Sequence, residues 1–267
     1  MIERGRVRGA VRAFAIRDLR VALSYKIPFV LEIIGSAFAI LTVWFVAKLI
    51  GTDLVPGGYF SFVVAGLVVS SFVDAGVSTL GGNLREGQLT GTLEATLSSG
   101  ARPVALAAGM AVYPMVSAVF AAVVYAVMAA LLGAEIAGAN WALALAAISV
   151  GSISFAGLGL VGAAIVLVVR RAAGAVGWLV AVLALGAGEF FPPDLLPGWV
   201  RAIAALSPFT WCLRLVRDAM LRGAGWSEGW RPLAVLLAMA VIFAALGLLA
   251  LAEALRHARR RGTLGQY

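Results

Sequence analysis

The sequence predicts an all-α polytopic membrane protein with six transmembrane helices, and three observations carry that prediction. Of its 267 residues, 62% are hydrophobic and only 13% are charged, about half the charged fraction of a soluble domain. The mean hydropathy is +1.00. Six stretches reach the ~20 apolar residues that a helix needs to cross ~30 Å of hydrocarbon. None of them alternates polar with apolar residues, and an open sheet edge is not tolerated in lipid, so a β-barrel is excluded.

The chain divides into residues 1–27, a cytoplasmic amphipathic interfacial segment; 28–255, the six-span domain; and 256–267, a basic cytoplasmic tail. In the first segment Val7, Ala10, Val11, Phe14 and Val21 share one helical face, with Asp18 intruding on it and most arginines opposite. This pattern suits a helix on an anionic leaflet, where each arginine is favoured by about 1 kcal/mol. The segment has no compact apolar run before a small-residue cleavage site, so it is expected to belong to the mature protein.

The predicted spans are Pro28–Ile50, Tyr59–Leu80, Val104–Leu132, Trp141–Val169, Ala172–Phe191 and Leu233–Leu255. Pro114 should kink or loosen the third. Lys48 can snorkel from the end of the first. Basic residues alternate between connections: Arg4, Arg6, Arg8, Arg12, Arg17, Arg20 and Lys26 precede span one, and Arg85 and Arg102 follow span two. Arg170 and Arg171 follow span four, and Arg256, Arg259, Arg260 and Arg261 follow span six. The rule that places such charges inside puts both termini in the cytoplasm. One stretch disagrees, since 192–232 should lie outside yet holds Arg201, Arg214, Arg217, Arg222 and Arg231.

That outer stretch is predicted to carry short helices. Pro197 and Pro208 stand where a first helical turn accepts proline. The second helix should run from Phe209 to Arg222 and end at Gly223. At about 21 Å it is too short to span, and its arginines, with Trp199, Trp211, Trp226 and Trp230, suit an interfacial or re-entrant position.

Several chemistries are excluded. No GxxxxGK[ST], HExxH or GxSxG motif occurs. The single cysteine, Cys212, rules out an intrachain disulfide and a multi-cysteine metal site. His257 lies in the basic tail and reads as solvated. Glu32, Asp74, Glu189 and Glu253 sit toward helix ends, where capping or pairing with a nearby arginine is expected. A secondary transporter would need midplane charges or half-helices in matched repeats. A membrane enzyme would need acidic residues or histidines clustered at one face. A purely structural protein would show no dependence on ATP.

Two stretches carry more than general membrane character. Arg85-Glu86-Gly87 is followed by Gly91-Thr92-Leu93-Glu94. Further on, Phe190-Phe191-Pro192-Pro193 leads to Pro197-Gly198-Trp199, then to Ser207-Pro208-Phe209-Thr210 and Arg217-Asp218-Ala219. In this order, with six spans, the chain resembles permease subunits of the ABC-2 transporter family over essentially its whole length.

The resemblance implies a cytoplasmic coupling helix at about 85–98 that docks on a separate ABC ATPase subunit. Its candidate contact residues are Arg85, Glu86, Gly87, Leu89, Gly91, Thr92, Leu93, Glu94 and Leu97. Leu89, Leu93 and Leu97 recur every four residues and make an apolar face, with Glu86, Thr90 and Glu94 beside it. Gln88-Leu89-Thr90 separates the two halves of the motif, and Ser98-Ser99-Gly100 stands where a proline often follows. Extracellular re-entrant helices at about 189–223, between spans five and six, would seal the outer end of the path. Their candidate residues are Glu189, Phe190, Phe191, Pro192, Pro193, Pro197, Trp199, Pro208 and Arg217. ATP and magnesium would bind the partner and not this chain. The resemblance further implies a permease homodimer or heterodimer in a bacterial cytoplasmic membrane and no nucleic-acid partner. The cargo would be an amphipathic or lipid-linked molecule moved outward: a lipid, a lipid-attached glycan or a hydrophobic drug.

Overall fold

The computed structural model describes residues 26–50, 57–79, 82–83, 86–87, 90, 103–134, 138–168 and 173–261. The predicted interfacial helix within 1–27 lies almost wholly outside them. Every regular element among the described residues is helical. These are α1 (Lys26–Ile50), α2 (Gly58–Asp74) with a π-helical turn at Ala75–Thr79, α3 (Pro103–Leu131), α4 (Trp141–Val168) and α5 (Ala173–Ala187). A 3-10 turn at Pro193–Leu195 follows, then α6 (Gly198–Ala204), α7 (Pro208–Leu221) and α8 (Trp226–Arg261).

Five helices contain a segment long and apolar enough to cross a membrane: Ile33–Ile50, Gly58–Ser78, Ala107–Leu131, Trp141–Leu167 and Trp226–His257. This is a multi-pass membrane protein. The predicted fifth span differs. Its helix, α5, has 15 residues, about 22 Å at 1.5 Å per residue. The helix stops short of Phe191 because Gly188 takes φ +73°, a left-handed conformation that L side chains resist. Gly188 N–H then donates to the Leu185 carbonyl (3.0 Å) and Glu189 N–H to that of Ala184 (3.2 Å). These two bonds form a Schellman end, which satisfies carbonyls the helix would otherwise leave bare.

The helices sort into inner and outer ones by burial. The apolar window of α2 is 72% buried and that of α1 only 11%, so α2 is wrapped by protein while α1 turns its side chains outward. α4 is the second inner helix, and α8 packs along it. Two backbone contacts bring the packing close. Gly157 of α4 faces Phe243 and Gly247 of α8, and Gly159 lies directly on the Gly76 carbonyl of the π turn. Small residues at such points let helices approach where lipid removes the hydrophobic drive between them.

Between these helices sits α7, against α2, α4, α5 and α8. Nine of its fourteen residues are buried. Phe209 packs edge-on to Phe155 of α4 at 6.3 Å between ring centroids. The Cys212 Sγ donates to the Ala147 carbonyl at 3.5 Å. The helix is therefore set into the core rather than laid on a surface, and its polar stripe is confined to one side.

Its ends are fixed by specific hydrogen bonds. Ser207 caps the start, accepting from Phe209 N–H at 3.2 Å, with Pro208 in the first turn. Thr210 Oγ1 donates to the Ala204 carbonyl (2.7 Å) and Trp211 Nε1 to that of Ala205 (2.9 Å), which ties α6 to α7. At the other end, Asn140 does two jobs. Its Oδ1 accepts from Leu143 N–H at 3.1 Å, capping α4, while its Nδ2 donates to the Ala224 carbonyl at 3.0 Å. Its main-chain N–H donates to the Ala219 carbonyl at 2.8 Å. Replacing Asn140 with alanine removes both side-chain bonds and leaves a partly buried carbonyl exposed to loss of its donor. A destabilisation of about 1–3 kcal/mol is expected, read as a lower unfolding temperature in detergent. Asn140→Asp restores the cap but not the donor, so it should recover only part of the loss; full recovery would refute the second role.

Candidate functional site

The described residues place one predicted motif pair together: Glu189, just past the end of α5, and Arg217, on α7. Both side chains are buried, at 5% and 8% exposure. A charge in such surroundings is costly unless it is paired and hydrogen-bonded. Arg217 satisfies its donors on main-chain oxygens from two directions. Its Nε donates to the Phe62 carbonyl of α2 (3.3 Å), one Nη to the Gly188 carbonyl (2.9 Å) and the other to the Glu189 carbonyl (2.7 Å). The guanidinium carbon also lies over the Phe62 ring, 3.4 Å from its centroid, the arrangement in which the ring quadrupole attracts a cation.

The surroundings are shaped to admit this pair. At Gly66 of α2 a Cβ would come to 2.8 Å from the Glu189 carbonyl oxygen and 3.4 Å from Arg217 Nη2, so any larger residue would push the α5 end away. Ser70 on the same helix, half-buried but with its Oγ out of solvent, lies beside the Glu189 carboxyl group. A Cβ at Gly188 would strike the Phe191 carbonyl oxygen at 2.7 Å and the Pro193 ring at 2.9 Å. The Pro192-Pro193 pair therefore packs over the same turn. Two helices and an inner span thus meet at one guanidinium. The arrangement holds elements together; it presents no nucleophile, base or metal ligand set. Among the described residues no group of three His, Cys, Asp or Glu side chains could hold a metal.

Other predicted outer residues take separate places. Pro197 caps α6 and Pro208 opens α7, as their positions in the sequence suggested. Trp199 and Phe190 stay exposed, at 70% and 41%, away from the buried pair. The unexpected arginines also find partners. Arg201 pairs with Asp194 at 3.6 Å, and Arg214 and Arg222 flank Asp218 at 3.8 and 2.9 Å. Arg231 stacks near Trp230 at 5.4 Å. Each of these arginines thus has a partner within the same stretch.

At the predicted coupling segment, Glu86 and Gly87 are helical and the Glu86 side chain is exposed. Thr90 N–H and Oγ1 both donate to the Glu86 carbonyl, at 2.9 and 2.8 Å, closing one helical turn. Arg85, Leu89, Gly91, Thr92, Leu93, Glu94 and Leu97 lie outside the described residues.

The residues that sequence reasoning missed are Phe62, Gly66 and Ser70, which form the α2 side of the Arg217 site, and Asn140. Only Ser70 carried a visible signal, since Ser70-Ser71 interrupts an otherwise apolar run. On α1, Lys48 Nζ lies 3.7 Å from the Trp44 ring centroid, and Trp44 Nε1 donates to the Leu132 carbonyl at 3.3 Å. Glu253 pairs with Arg256 at 3.3 Å, the helix-end pairing expected of it.

A family model described as ABC-2 type transporter matches residues 15–221, well over half of the chain. No curated protein matches it.

Proposed function

The chain belongs to the ABC-2 type transporter family, and from that premise we propose that it is the permease subunit of an ATP-driven exporter. Permeases of this family work in the membrane with an ABC ATPase. The family match over 15–221 carries the reading, and the absence of a phosphate-binding loop from the sequence agrees with ATP being held on another chain. The subunit makes six crossings with both termini in the cytoplasm of a bacterial cell. The fifth crossing is the short α5, and the folded-back pair α6–α7 completes its outer end, held there by Arg217. Two permease copies, or one with a related partner, line a path between them. ATP, with magnesium, draws the ATPase subunits together. The segment at 85–98 passes that movement to the spans, and an amphipathic or lipid-linked cargo leaves outward. The exposed Glu86 side chain, on a closed helical turn, suits a contact with a basic residue on the ATPase.

The test uses the chain co-expressed with its partner ABC ATPase. Glu86→Ala with Glu94→Ala should weaken ATPase co-purification at least about tenfold, since truncating one partner of a buried interfacial pair costs about 2–5 kcal/mol. Membrane insertion should be unchanged. Unaltered complex formation and transport in the double variant would sink the coupling assignment.

A further inference from the structure

Two helices carry the coupling segment: α2 leads into it and α3 leads out of it. Both depart from regular α geometry, and they do so on facing sides. α2 continues into Ala75 without a break, since Ala75 is right-handed (φ −58°, ψ −43°) and its N–H donates to the Ser71 carbonyl. The helix then widens into the π turn at Ala75–Thr79. Single π turns are rare and concentrate at functional sites. In α3, Pro114 stands inside the helix. Having no N–H, it leaves the Met110 carbonyl without the donor a regular helix supplies. Prolines and π turns are among the few features at which helices bend sharply.

Ala75 and Pro114 line one cavity of about 340 Å³ among α1, α2 and α3. Close-packed interiors resist bending because each movement drives atoms into their neighbours, and a space of this size relieves that resistance beside both irregular turns. On its other side the π turn is seated on α4. A Cβ at Gly76 would come to 2.7 Å from the Phe155 Cβ and 2.9 Å from the Ala156 main-chain nitrogen. The backbones of α2 and α4 therefore touch there, which fixes the place about which α2 can turn. Toward its start, α2 is held by Arg217 through the Phe62 carbonyl and by the close approach at Gly66. Near the start of α3, Ala107, Met110 and Ala111 meet α4 and α8. These side chains are small or flexible and offer little to interlock.

We propose that the π turn of α2 and Pro114 of α3 form a paired hinge, on which the ends of both helices next to the coupling segment swing as one body against α4 and α8. The hinge deepens the transport reading and rests on it for the source of the movement, because an ATPase docked at 85–98 drives the swing.

The hinge itself is read in the full chain alone, in lipid nanodiscs, by hydrogen exchange. A widened turn and a carbonyl without its donor open more readily than regular helix, so amides at 75–79 and 110–118 should exchange at least about tenfold faster than those at 61–70 and 119–128. Pro114→Ala restores the missing bond and should slow 110–118 at least about fivefold. Uniform protection along both helices, or no slowing in Pro114→Ala, would overturn the hinge.

The swing is read in the complex with the ABC ATPase, as distances between spin labels. Gly82 and Gly177 have nothing within 4 Å of an added Cβ, and Val123 is 52% exposed. Gly82→Cys, Gly177→Cys and Val123→Cys can therefore be labelled, while the native Cys212 is fully buried. Excess unlabelled chain keeps the measured pairs within one chain. Between the nucleotide-free complex and one trapped with ATP and vanadate, the 82–177 distance should change by at least about 3 Å, more than the ~1–2 Å of an interface adjustment. The 123–177 distance, whose α3 label lies beyond the hinge, should change by less than about 1 Å. Pro114→Ala combined with deletion of Thr79, which returns the π turn to an α turn, should remove most of the change. Pro114→Ala alone should halve it if the deletion variant does not fold. Equal change at both pairs, no change at 82–177 in a complex that retains the ATPase, or a change untouched by Pro114→Ala would overturn the proposal. Because hydrogen exchange needs no ATPase, failure of the docking experiment above leaves the hinge result standing, and failure of the hinge leaves the docking result untouched.

Discussion

Arg217→Ala is expected to unfold the region where α2, α5 and α7 meet more readily than substitution of any other arginine among the described residues. The wild-type guanidinium supplies donors to three main-chain carbonyls, on Phe62, Gly188 and Glu189, and lies over the Phe62 ring. Alanine leaves those oxygens without their donor and leaves the buried Glu189 carboxyl group without its neighbouring cation. Breaking a buried pair in this way costs about 3–5 kcal/mol. For a chain of this size that corresponds to a fall of about 10 °C or more in unfolding temperature. Cys212, the only cysteine and fully buried, gives the readout, because a fluorogenic maleimide reacts only when the surrounding core opens. Arg217→Lys should recover less than half of the loss, since a compact ammonium can neither fork to three carbonyls nor lie flat on a ring. An unchanged midpoint in Arg217→Ala would remove the case for this residue as the point that joins α2, α5 and α7.

The second large effect is expected at Gly159. A Cβ there would fall on the Gly76 carbonyl oxygen of the π turn, and backbone cannot step aside as a flexible side chain can. Gly159→Leu forces α4 away from the end of α2, with strain and lost contacts of about 3 kcal/mol. The expected outcome is a large fall in the yield of monodisperse protein and early Cys212 labelling. Gly35 is the control, with nothing within 4 Å of a Cβ placed on it. Gly35→Ala should hold or raise stability by about 0.5–1 kcal/mol through helix propensity alone. Equal behaviour of the two variants would show that the α2–α4 approach is not what holds the inner helices.

What the sequence made legible follows from the kind of signal each element carries. The long apolar runs of α1, α2, α3, α4 and α8 are one-dimensional signals, and each is found where composition put it. Pro197 and Pro208 fixed the starts of α6 and α7, because a ring-locked φ and a missing N–H act locally. The end of α5 was misplaced because Ala-Gly-Glu-Phe-Phe reads on hydropathy as continued span. Only the left-handed turn at Gly188 ends it. The partners of Arg217 were not legible, since Phe62 lies 155 positions away in sequence and contributes a carbonyl that every residue type possesses. The meeting of Ala75 and Pro114 was equally hidden: they lie on different helices, and their convergence on one cavity is a property of the packing.

The length of α8 has a mechanical consequence. Its 36 residues make a rod of about 54 Å, against ~30 Å of hydrocarbon, so it is tilted or projects beyond the bilayer. One end follows closely on the α7 C-cap at Arg222, and the other carries Arg256 and the arginines after it. Between them it is clamped to α4 along the Gly157–Gly247 contact. Such a rod behaves as a beam on a fulcrum. A few ångströms of displacement at one tip must appear, reversed, at the other, and the only built-in joint is Pro232, within two turns of the end nearest α7.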